Sequence, residues 1–198
     1  MAKSVDNVVM QGTSGKIGKM LVFRQKGDQT IIARTAKKRP DGKPYTKDQL
    51  AVQDRFLDAS LYAKKSIRDD VLKARYKAKA NVNQTAYNVA FKDYFNPPQI
   101  RRLRDQGYTG LVGQEITFLV KDILQVTQIT LEIVDDSDTV IESGLAIDKD
   151  GDGLDWKYTT TVENPDYEST MYRFTLIDTP GNITIVIVRY GEDKSTST

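Results

Sequence analysis

Residues 172–190 read YRFTLID, TPGN, ITIVIVRY: two runs rich in β-branched and aromatic residues on either side of a turn. Tyr172–Ile177 and Ile183–Tyr190 are therefore strand candidates. In Thr179-Pro180-Gly181-Asn182, proline presets its own φ and glycine accepts a positive one, so the chain reverses there. The same grammar extends upstream. Ile116–Val120, Ile129–Val134, Val140–Ile147 and Leu154–Val162 read as strands, with a further one near Ile100–Leu103. Asp135-Asp136-Ser137-Asp138, Asp148–Gly153 and Asn164-Pro165-Asp166 punctuate them as turns. Six or seven short strands in about 95 residues predict an antiparallel β-sandwich. Trp156, the only tryptophan, alternates with Tyr158 and is expected to face the core.

Before Pro98 the pattern differs. Met20-Leu21-Val22-Phe23 and Thr30-Ile31-Ile32-Ala33 flank Lys26-Gly27-Asp28 and predict a β-hairpin. A lone hairpin is marginal in water, so it needs helices or another subunit to pack on. Residues 37–45, KKRPDGKPY, form a basic linker broken by two prolines. Thr46 and Gln49 then fit a capping box. The helix they open carries Leu50, Leu57 and Leu61 beside Phe56, Ala59, Ala63 and Ile67, an apolar stripe of helical period. Asp69-Asp70 caps a second helix through Lys79, with Val71, Leu72 and Tyr76 as its buried face. A third runs from Gln84 to Phe95, and Asn96-Pro97-Pro98 stops it. The expected organisation is a basic hairpin and helical domain at 1–98, a sandwich at 99–190 and a polar tail at 191–198, GEDKSTST, that frays.

Charge follows the same division. Residues 1–98 hold 20 Lys+Arg against 9 Asp+Glu, and residues 99–198 hold 9 against 18. The net charges are thus +11 and −9, hidden inside a whole-chain value of +2. Such a chain suits a polyanion held by the front, or another copy of itself met front to back.

The composition excludes several chemistries. The chain has no histidine and no cysteine, so Ser-His and Cys-His nucleophiles, His-containing zinc sites and disulfides are out. Glu115, Glu132, Glu142 and Glu163 lie on or near strands, yet no spacing singles out an acid and a base. Gly12-Thr13-Ser14-Gly15-Lys16 and Gly18-Lys19 fail the phosphate-loop spacing and read as a flexible lead into the hairpin. No early apolar run makes a secretory signal, and none approaches the roughly 18 residues of a membrane span. Synthesis in the cytoplasm without a signal peptide is expected, with a virion or an assembly released by a dedicated or lytic route as the other location.

Asp148-Lys149-Asp150-Gly151-Asp152-Gly153 is the sharpest local pattern. Asp148, Asp150 and Asp152 stand at alternate positions, as calcium-loop ligands do. The twelfth position is Thr159 where an EF-hand has glutamate, and the flanks read as strands. Calcium in a hairpin loop is one reading; a solvated acidic β-turn, which needs no cofactor, is the other and the better fit.

The second half resembles bacterial immunoglobulin-like domains. Asp178-Thr179-Pro180-Gly181-Asn182 matches the D-x-P-G-N turn that often precedes their last strand. The first half, with its GKIGK-x-LVFR hairpin and TxxQLAVQxRF helix, resembles uncharacterised bacterial and prophage-type proteins. The elements predict an α+β N-terminal part, a β-hairpin plus three short helices, and the resemblance implies that the all-β sandwich following it is immunoglobulin-like. Such domains serve as spacers, adhesive modules and decorations on phage particles and surface structures.

The expected function is a non-enzymatic structural or assembly protein that associates with itself. Its interface would use Met20, Leu21, Val22 and Phe23 of the hairpin, Lys37, Lys38 and Arg39 of the linker, and Arg101 and Arg102. The alternatives are a nucleic-acid-associated protein using the basic front, and a calcium-dependent carbohydrate or surface-binding module.

Overall fold

A computed structural model describes residues 2–4, 9–27, 29–37 and 44–192. Among them are three four-stranded antiparallel sheets and three α-helices. The chain divides into two compact units, Met1–Gln53 with Asn81–Gln84, and Asp54–Ala80 with Thr85–Thr198.

In the first unit, β1 (Ala2–Ser4), β2 (Gly15–Ile17), β3 (Leu21–Lys26) and β4 (Gln29–Arg34) form a sheet in the order β1-β4-β3-β2. The expected hairpin is β3–β4, paired from Leu21↔Arg34 to Lys26↔Gln29. Gly27 turns it with φ +63°; Asp28 lies outside the described residues. The segment read as a flexible lead supplies a strand, because Gly15–Ile17 pairs with Leu21–Phe23. The Gln25 amide donates to Thr13 O and to Thr30 Oγ1, both at 2.8 Å, which ties that lead to the hairpin.

Helix α1 (Lys47–Ser66) starts on the capping box: Gln49 N donates to Thr46 Oγ1 and Thr46 N to Gln49 Oε1, each at 3.3 Å. Helix α2 (Asp70–Ala78) is capped by Asp69, whose carboxylate accepts from Val71 N and Leu72 N. Helix α3 (Ala86–Phe95) is capped by Thr85 and starts two residues later than expected.

The apolar stripe expected on α1 divides. Ala59 and Ala63 are buried, and Phe56 meets Phe91 of α3 edge-on with ring centroids 4.8 Å apart. Leu50, Leu57 and Leu61 are exposed, and Phe56 remains largely exposed beside its Phe91 contact. At 3.6 residues per turn those three leucines fall within about 40° of one another and about 180° from Ala59. Helix α2 corrects the sequence reading in the same way: Tyr76 is buried, but Val71 is exposed.

The other two sheets face each other across one core. The first has the order β5-β6-β10-β9, with β5 Gln99–Arg104, β6 Glu115–Lys121, β9 Ile147–Asp148 and β10 Asp155–Thr159. The second has the order β12-β11-β7-β8, with β7 Val126–Val134, β8 Val140–Leu145, β11 Met171–Asp178 and β12 Ile183–Arg189. Alternate residues point inward. Ile116, Phe118 and Val120 from one sheet meet Leu131, Tyr172, Phe174 and Leu176 from the other. Phe118 and Phe174 touch edge to face at 4.8 Å between centroids. Trp156 and Tyr158 are both buried in this core. The strand expected at Val140–Ile147 breaks after Leu145, and the buried Ala146 separates β8 from β9.

The helices that belong to the basic half by charge are bonded to the sandwich. Leu124 N donates to Asp93 Oδ1 at 3.2 Å, and Asn182 Nδ2 donates to Tyr94 O at 3.2 Å. Arg75 donates to Gln125 Oε1 at 2.7 Å. The β6–β7 and β11–β12 connections are thus the floor on which α2 and α3 rest.

Candidate functional site

That floor holds a cluster of carboxyl groups that came from three distant points of the sequence. Asp93 is buried; its Oδ2 accepts from Tyr76 Oη at 2.7 Å, and Tyr76 Oη lies 2.7 Å from Tyr62 Oη. Asp178 accepts from the Asn182 backbone at 2.6 Å and from its side chain at 2.7 Å. Both Asp122 oxygens are buried; the amides of Ile123, Leu124 and Gln125 favour its charged form without closing a hydrogen bond. Burial pushes the Asp93 carboxyl up to about 7, opposed by the Tyr76 bond and reinforced by Asp122 and Asp178. Burial pushes Asp122 up to about 6, again with Asp178 adding to the effect. Asp178 is raised as well, chiefly by burial. This arrangement joins the helices to the sheet connections. Among the described residues no group of three or more acidic side chains is placed to hold a metal ion.

Asp148 ends β9, and Asp150 and Asp152 stand on the loop between β9 and β10. Two of them serve the backbone: Asp148 accepts from Gly151 N at 3.1 Å and Gly153 N at 2.7 Å, and Asp152 from Leu154 N at 2.9 Å. Gly151 and Gly153 take φ of +74° and +76°, which is turn geometry.

The residues expected at an interface are spread over different surfaces. Met20 and Leu21 are exposed, Val22 is half-buried, and Phe23 faces inward and is buried. Lys37 is exposed; Lys38 and Arg39 lie outside the described residues. Arg102 is exposed on β5 opposite Leu119. Arg101 is different. Ile100 pairs with Val120 and Arg102 with Leu119, so Arg101 is the extra residue of a β-bulge. A bulge re-aims a side chain. This one turns Arg101 into a pocket of about 200 Å³, lined also by Lys92, Lys121, Pro97, Asp122 and Ile123.

A second concavity, about 420 Å³, lies where β7 ends and is lined by Asp135, Asp136, Glu163 and Asp166 with no lysine or arginine. β7 runs nine residues between the two, so they stand roughly 30 Å apart at opposite ends of the strand.

The outer surface carries apolar residues on regular elements. Ile183, Ile185 and Ile187 of β12 are 66%, 62% and 52% exposed. They alternate along the strand that ends its sheet among the described residues, and share its outer face with Ile177. The sequence marks β12 as apolar throughout, but period two alone does not say that its isoleucines face outward. No helix is long and apolar enough to cross a membrane among the described residues.

No protein-family model and no curated protein matches the sequence. Among solved structures, the chain is similar to CopC from Methylosinus trichosporium OB3b at 11% identity. That alignment covers 38% of this chain and 72% of the other, with a TM-score of 0.31, a likeness too slight to assign a fold or a role.

Proposed function

We propose that this chain is a non-enzymatic structural or assembly protein that associates with copies of itself, as a ring, a filament or a component of a phage-like particle. In this reading the acidic sandwich is immunoglobulin-like and forms the displayed part. The basic hairpin and helices dock it. The observation that carries the reading is the exposed isoleucine row of β12. Contiguous apolar surface on a regular sheet face is costly in water and marks an interaction surface. The opposite charge of the two halves supports a partner of the same sequence, since each copy brings both signs.

Light scattering of nuclease-treated protein across salt concentration tests this. Large species at low salt that shrink at high salt are the expected result. A monomer at every salt and concentration would overturn it. Salt-sensitive binding of DNA or RNA by such a monomer would transfer the function to the basic front.

A further inference from the structure

We propose that the pocket lined by Lys92, Arg101 and Lys121 receives the acidic β7–β8 turn of a second copy of this chain, joining copies end to end. The inference rests on the self-association reading and supplies its polar contact.

Four observations converge on it. First, the pocket's charge is unmet. Among the described residues no ion pair engages Lys92, Arg101 or Lys121. Arg101 Nε is buried without a hydrogen-bond partner, so the guanidinium is not fully satisfied within the monomer. Secondly, Arg101 reaches this position by the bulge in β5, which removes it from the ladder. Thirdly, there is room for a side chain: about 200 Å³ admits a carboxylate with its stem. Asp122 is the one carboxylate among the lining residues, so cations exceed anions there.

Fourthly, the complement lies at the far end of the same strand. Asp136 lies on the β7–β8 turn and lines the acidic concavity together with Glu163 and Asp166. Asp135 stiffens the turn by accepting from Ser137 N and Thr139 N, each at 2.8 Å, and Asp136 is exposed on it beside Ser137 and Asp138. Its one ion pair is to Arg189 at 4.0 Å, between two largely exposed groups, and such a pair is weak and easily exchanged. Because pocket and turn are different surfaces at opposite ends of β7, the contact is heterologous. It propagates along the strand direction unless rotation closes it. Apolar faces then supply adhesion, and this charged contact sets the order and spacing of copies.

Sedimentation velocity of the nuclease-treated full chain at low salt tests the contact with two charge-reversed proteins. One carries Arg101→Glu with Lys121→Glu, the other Asp136→Lys with Asp166→Lys. Each alone should associate about tenfold more weakly, or less still, because like charges now meet. Mixed in equal amounts they should regain the large species, since each reversed pocket then meets a reversed turn. A folding defect cannot produce that rescue. Variants that assemble like the parent, or a mixture that stays small, would overturn the contact while leaving self-association standing. A parent protein that is monomeric throughout would overturn both. Inorganic phosphate bound by the parent, lost in Arg101→Glu/Lys121→Glu and without effect on mass would assign the pocket to a free oxyanion instead.

Discussion

Strands β11 and β12 lie side by side in one sheet and share one period, yet the middles of their outer faces differ. On β11, Tyr172, Phe174 and Leu176 point into the core and are buried, while Arg173 and Thr175 face outward. Arg173 pairs there with Glu132 at 3.0 Å and also with Asp138. On β12, Val188 points inward and is buried, while Ile183, Ile185 and Ile187 face out. The first strand follows the rule of a sheet with one wet face. The second breaks it over the same length. The self-association proposed above would give the outer face of β12 a use besides folding.

The comparison breaks if the two faces respond alike to substitution. Phe174→Ala removes a ring packed on Phe118, and should cost about 3–5 kcal/mol in urea unfolding. Asp93→Asn tests the joint between helices and sandwich by its pH profile. A carboxyl raised to about 7 when folded stabilises the folded chain fully below its unfolded pKa. That contribution is lost as pH rises through the folded value. Parent stability should therefore decline from about pH 4 to 7 relative to Asp93→Asn, by on the order of 2–4 kcal/mol at about 1.4 kcal/mol per unit. Parallel pH profiles for the two proteins would show that Asp93 is not buried against its neighbours as described.

Gly110 offers a smaller test of the loop end of the sandwich. Its φ is +79°, and an added Cβ would stand 2.0 Å from Asn164 O. Gly110→Ala should cost roughly 1–3 kcal/mol, read as a lowered melting temperature. Ile185→Thr completes the series at the small end. Its effect on monomer stability should stay within about 0.5 kcal/mol, as for an ordinary surface position. Its effect on self-association by light scattering should be a clear loss. A core-sized drop in stability would mean that the isoleucine row packs inside the monomer, and the contrast with β11 would disappear.

Local signals were legible where the physics is local. The capping box at Thr46 and Gln49, the Asp69 cap and the turn at Pro180-Gly181 depend on residues a few positions apart. Trp156 and Tyr158 reveal their core position by alternation. The α1 leucines show the limit: helical period places Leu50, Leu57 and Leu61 together, but not which side meets α3. Small Ala59 and Ala63 face the core instead, where short side chains let neighbouring elements approach closely. The carboxyl cluster was illegible because Asp93, Asp122 and Asp178 come together only through the packing of α3 on two sheet connections. The Arg101 pocket was half legible. The arginine run reads as basic surface, whereas the bulge that singles out one arginine depends on register with β6.

The bond from Leu124 N to Asp93 and the one from Asn182 to Tyr94 bear on how such a chain can be dissected or recombined. A cut at Pro98, where the charge changes sign, would strip the sandwich of its helical lid. It would bare Leu124 and open the Asp122–Asp178 neighbourhood to water. The sandwich is therefore not a cassette to be lifted out at the charge boundary. A transplantable piece has to begin upstream, with α1, α2 and α3 inherited alongside the strands they cover.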